Sequence, residues 1–135
     1  MLGLRHYQGV AIDLWLGDIT EFAVDAMVQV SNDPARLPDR LPAKHVIQAG
    51  DRNSYVYCLR EAQRLQVQHI SIPALSSTAE TAQIAMQSVK DFIFEQRKRN
   101  TNLELKRLTF VLDEKPTYLL FQQALFSTFI SEESE

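Results

Sequence analysis

Few residues in this chain could do chemistry, and they are scattered. They are Asp18 after Gly17, Asn32 before Asp33-Pro34, Ser76-Ser77 ahead of a helical stretch, three histidines and one cysteine. Taken alone, Asp18 is a carboxylate in a turn or at a helix cap, and Asn32 before Asp-Pro is turn chemistry too. Ser76 and Ser77 suit a loop and a helix N-cap, and a free helix N-terminus attracts a phosphate or carboxylate. His6, His45 and His69 stand at unrelated spacings, with no second ligand three or four residues on and no cysteine partner. Neither a metal nor a cofactor is expected. Cys58 has no histidine near it in sequence and precedes Leu59 in a helical pattern, so it is expected to be a small packing residue.

The elements that must position these residues fit one domain. The chain has 135 residues, 45% of them apolar, which is enough to bury a core, and a net charge of −3 that excludes a generic polyanion binder. Residues 1–131 are expected to form the domain and 132–135 a frayed acidic tail. The dense basic run "EQRKR" (Glu95–Arg99) is expected to be a solvated helix end rather than a nucleic-acid patch. One cysteine excludes an internal disulfide, and neither a signal-peptide core nor a membrane span appears, so a soluble, cytoplasmic protein is expected.

"VAIDLWLGD" (Val10–Asp18) places Val10, Ile12, Leu14 and Leu16 on one face at period two, with Asp13 and Trp15 on the other. That predicts a strand near a sheet edge. "VDAMVQVSN" predicts a strand covered on both faces, and "KHVIQAG" a short third one. "DRNSYVYCLREAQRLQ" predicts a helix capped by Asp51 or Asn53, with Val56, Leu59, Ala62 and Leu65 inward. "HISIPAL" returns to strand. The next helix opens on a Ser77–Glu80 capping box, and its stripe runs Ala82, Ala85, Met86, Val89, Phe92, Ile93, Gln96. "LKRLTFVLDE" predicts a fifth strand, and "KPTYLLFQQALFSTFI" a very apolar helix with Pro116 in its first turn. The alternation predicts an α/β fold, a sandwich around a mostly parallel sheet.

In order along the chain, "GDITEFAVDAMVQVSN", "LPAKHVIQAG", "SIPALSS", "IAMQSVKDFIFE" and "FVLDEKPTYLLFQQAL" resemble the macro domain (ADP-ribose-binding, Appr-1''-p processing) family. The resemblance implies a three-layer sandwich with a mixed, mostly parallel central sheet. It also implies that Asp18 accepts a hydrogen bond from an adenine amino group, with Gly17 and the Ile19 backbone beside the ring. Asn32 is implied to face the distal ribose, and Ser76-Ser77 to begin a phosphate loop. A carboxylate suits the adenine role because it only accepts hydrogen bonds. Asp25 matches a position with a structural role.

The departures concern the diphosphate. Gln29 replaces the first asparagine of the family's Asn-Ala-Ala-Asn turn, and no glycine occurs between Gly17 and Gly50. The glycine-rich loop and helix after the second strand are missing; "DPARLPDRLP" stands there, with prolines that forbid a helix. Leu112 stands where many relatives place an aromatic against the adenine. Three functions follow as expectations. The first is a non-catalytic module that binds ADP-ribose or an adenine nucleotide weakly through the Asp18 corner. The second is a degenerate macro-fold scaffold with no nucleotide, working as a homodimer or with a protein partner, for which the apolar last helix and Trp15 speak. The third is a residual ADP-ribosyl hydrolase.

Overall fold

A computed structural model describes residues 4–19, 24–29, 45–48, 55–74, 78–99 and 103–129. The elements are β1 (Leu4–Tyr7), β2 (Val10–Leu16), β3 (Ala26–Gln29), β4 (His45–Gln48), α1 (Tyr55–Arg64), β5 (His69–Ile72), α2 (Ala79–Lys98), β6 (Arg107–Leu112) and α3 (Lys115–Thr128). The strands form one sheet in the order β1-β2-β6-β5-β3-β4. Only β1–β2 is antiparallel; the other four pairings are parallel. The fold is an α/β sandwich on a mixed, mostly parallel sheet.

Period-two alternation decides which side chains meet the helices. Ile12, Leu14, Ile70, Ile72, Leu108 and Phe110 point to one face and join a single core cluster with α1, α2 and α3. Phe110 meets Tyr55 of α1 at 5.9 Å and Phe121 of α3 at 5.4 Å between ring centroids, so both helices cover that face. Helix α2 packs against each of them through the expected stripe of Ala82, Ala85, Met86, Val89, Phe92 and Ile93. The opposite face carries Met27, Ser71, Thr109 and Val111, which are also buried.

Three expectations change. A strand precedes the first one expected: Gln8 (φ 54°) and Gly9 (φ 86°) form a two-residue turn that pairs Tyr7 with Val10. Strand β2 is therefore second in the sheet, between the edge strand β1 and β6, near the edge as expected, and its polar face carries Asp13 with its partners. The α2 cap falls one residue later than expected: Thr78 accepts from the Thr81 N–H at 3.0 Å. In α1 the buried positions are Tyr55, Cys58, Leu59 and Ala62, so Tyr55 and Cys58 take the inward place expected of Val56.

Strand β1 and helix α2 are fastened to the end of α3. Arg5 donates to the Phe129 carbonyl at 2.9 Å with its guanidinium 4.2 Å from the Phe126 ring centroid, and Lys90 donates to the Thr128 carbonyl at 3.2 Å. Helix α3 has no basic residue in its last turn, so cations from β1 and α2 serve its negative end instead. Within the basic run, Arg97 grips the Gln8 carbonyl at 2.8 and 3.1 Å, and Arg99 pairs with Glu95. Among the described residues, no helix is long and apolar enough to cross a membrane.

Candidate functional site

Strands β2, β6 and β5 are parallel neighbours, so their carboxyl ends open on the same side of the sheet. Crevices at such ends are where α/β folds hold ligands. One backbone bond ties two of these ends together: the Gly17 N–H donates to the Leu112 carbonyl at 2.8 Å. Around it lies a cavity of about 470 Å3. Gly17, Asp18 and Ile19 enter from β2, Val111 to Asp113 from β6, Pro73 and Ala74 from β5, and Thr117 from the first turn of α3.

The lining is mixed. Leu112 and Thr117 are buried, Ile19 is half-buried, and Asp18 and Asp113 are exposed. The walls can hold a flat apolar ring, while the carboxylates accept from its N–H groups. The first backbone bond of α3 runs from the Tyr118 N–H to the Glu114 carbonyl at 3.0 Å. The N–H groups of Lys115 and Thr117 come before that ladder, and Pro116 has none to offer. Trp15 packs on Gly17, its ring carbons 3.3–3.4 Å from where a Cβ on Gly17 would lie.

Gly17, Asp18 and Ile19 line this cavity together with Leu112. Asn32, Ser76 and Ser77 lie outside the described residues, as do the segment 30–44 and the tail. Sequence reasoning missed Asp113, Thr117 and Pro73 as wall residues. The available signal was "VLDEKP" and "SIP", each a strand end followed at once by a turn.

A second polar cluster occupies the other face of the sheet. Asp13 of β2 accepts from Arg107 at Oδ2 and from the Thr109 hydroxyl at Oδ1, the latter at 2.5 Å. With its proton committed to Asp13, the Thr109 oxygen accepts from His69 Nε2 at 3.0 Å. Burial first, and the nearby Arg107 charge second, hold the His69 pKa below its usual value. Ser71 Oγ beside them is buried without a hydrogen-bond partner among the described residues.

Asp25 is structural, as expected: its carboxylate accepts from the N–H groups of Gln68 and His69 at 2.9 and 3.1 Å, linking β3 to β5. Cys58 is fully buried, and burial pushes its thiol up to about 11. Among the described residues no group of three or more histidine, cysteine, aspartate or glutamate side chains is arranged to hold a metal ion.

The backbone matches solved macrodomains. The Oceanobacillus iheyensis macrodomain with ADP superposes with a TM-score of 0.69 at 16% identity, over 94% of this chain and 96% of that one. The same macrodomain with MES bound gives 0.71 at 16% identity, over 94% and 96%. The Trypanosoma brucei macrodomain in complex with ADP-ribose gives 0.65 at 16% identity, over 84% and 68%. No protein-family model and no curated protein matches the sequence. The chain has the macrodomain fold.

Proposed function

We propose that this protein is a macrodomain-like binding module that takes the adenine end of ADP-ribose, or of a smaller adenine nucleotide, without hydrolysing it. The observation that carries this reading is the meeting of Gly17, Asp18 and Ile19 with Leu112 around one cavity at the carboxyl ends of β2 and β6. Asp18 accepts from the exocyclic amino group, which rejects bases that present a carbonyl there. Solved structures of the same fold are complexes with ADP and ADP-ribose.

Hydrolysis of an ADP-ribosyl bond needs the distal ribose and a water held against the diphosphate. Gln29 and the absence of glycine between Gly17 and Gly50 argue against that positioning. A second role, association with a protein partner or a second copy, draws on the exposed Ile84, Phe94 and Leu119 of α2 and α3. Sedimentation equilibrium of the purified chain reads it out.

Isothermal titration with ADP-ribose, for the wild type and Asp18→Ala, tests the main reading. A Kd below about 100 μM, or roughly −5.5 kcal/mol, that weakens at least about tenfold in Asp18→Ala supports it. No heat up to millimolar ligand overturns it.

A further inference from the structure

We propose that this protein pairs with a second copy of itself through the outer face of α2, laid antiparallel on its counterpart across a two-fold axis. The inference deepens the second role above and rests on it, and it uses no residue of the nucleotide cavity. The buried stripe of α2 is centred on Val89. At about 100° per residue, Glu80, Ile84, Gln87, Asp91, Phe94 and Lys98 form a second stripe on the opposite side of the helix. All six are exposed, Ile84 at 53% and Phe94 at 50%. Their spacing alternates between four and three residues, as along the seam of a two-helix coil.

A two-fold interface needs a surface that complements itself, because every contact forms twice with the roles exchanged. This stripe does. In pairs centred on Val89, Glu80 is matched with Lys98, Ile84 with Phe94, and Gln87 with Asp91. Two antiparallel copies therefore set acid on base at both ends, apolar on apolar inside them, and amide on carboxylate at the middle. The helix dipole alone accounts for an acid at the start and a base at the end, but not for the apolar pair between them. The middle is half assembled already: Gln87 Nε2 donates to Asp91 Oδ1 at 2.9 Å within one chain. A second amide N–H and a second carboxylate oxygen are left for the other copy. Phe94 also has a seat. It lies on the same flank of the stripe as Gln83, and an axis crossing the two helices keeps that flank. Phe94 of the second copy then comes over the α2–α3 groove of about 340 Å3 lined by Ala79, Gln83, Leu120 and Ala124.

Sedimentation equilibrium from about 5 to about 500 μM reads the association, because one helix pair buries less than a standard interface of about 1,600 Å2 and a micromolar Kd is expected. Ile84→Glu and Phe94→Glu alter exposed sites, so the urea midpoint of the monomer is expected to hold while the dimer weakens at least about tenfold. Lys98→Glu is expected to weaken the dimer about fivefold. Adding Glu80→Lys is expected to bring Kd back within about twofold of wild type, since opposite charges then face each other with their signs exchanged. A dimer untouched by Ile84→Glu and Phe94→Glu, or a charge exchange that deepens the loss, overturns the α2 pairing while leaving association by another surface. A wild type that is monomeric at the highest concentration overturns the pairing and the second-copy role together. The titration with ADP-ribose is read independently of either result.

Discussion

The Trp15 indole rests on Gly17 so closely that a methyl group added there would sit 3.3 Å from the ring. Glycine is required at this point by the approach of the ring and not by a left-handed backbone, since Gly17 is not among the residues of positive φ. Gly17→Ala is expected to displace the indole by a few tenths of an ångström and to cost less than about 1.5 kcal/mol of stability. Its emission spectrum should shift relative to wild type with the far-ultraviolet circular dichroism unchanged. An identical emission maximum would show that the ring does not pack there.

Thr109 is the joint of the buried cluster, giving its proton to Asp13 and accepting from His69. Thr109→Val keeps the shape and removes both bonds. The expected cost is about 1–3 kcal/mol in urea unfolding, the range for stranding buried polar groups. A loss below about 0.5 kcal/mol would mean that Asp13 and His69 find other partners.

His69 gives the fold an acid limit. Its folded pKa is held below the ordinary 6.5, so the unfolded chain binds the proton first. Stability from this group is present above pH 6.5 and falls as the pH drops from there toward the depressed folded value. His69→Gln, which retains an amide donor, is expected to flatten this part of the Tm-against-pH profile. A wild-type Tm that stays level from pH 7 to pH 5 would contradict the assignment.

Cys58 has the opposite sign at the other end of the scale. Burial raises its pKa from 9.0 to about 11, so its contribution is complete below pH 9 and is lost as pH rises through 11. The native thiol is expected to react with a disulfide reagent at pH 8 at least about a hundredfold more slowly than in denaturant. Comparable rates would place it at the surface.

The elements that read clearly from sequence owe their shape to local periodicity. The α2 stripe and the inward faces of β2 and β6 repeat within a few residues, and the structure keeps them. Strand β1 escaped because four residues, "LRHY", show too little alternation, although Gln8-Gly9 was a turn signal of the right length. The thin cap signal was misplaced by one residue because Ser77 and Thr78 are both good cap types. The pocket was half legible. Gly17, Asp18 and Ile19 are consecutive, whereas Asp113 and Thr117 join them only through the β2–β6 pairing, more than ninety residues away. The Asp13–Thr109–His69 chain was out of reach for the same reason: its members are separated by 96 and 40 positions and share no motif.

The bond between Arg5 and the Phe129 carbonyl spans 124 positions. Its consequence lies in the order of events during synthesis. The Tyr7 ring of β1 meets Phe129, just past α3, tilted at 59° with 5.4 Å between centroids, so the β1–β2 hairpin is synthesised long before the segment that covers it. Long-range closures of this kind slow folding, because chain entropy is lost before the contact repays it. The nascent chain must carry that apolar hairpin face until α3 has been made, and this part of the core closes only when β1 and the end of α3 find each other.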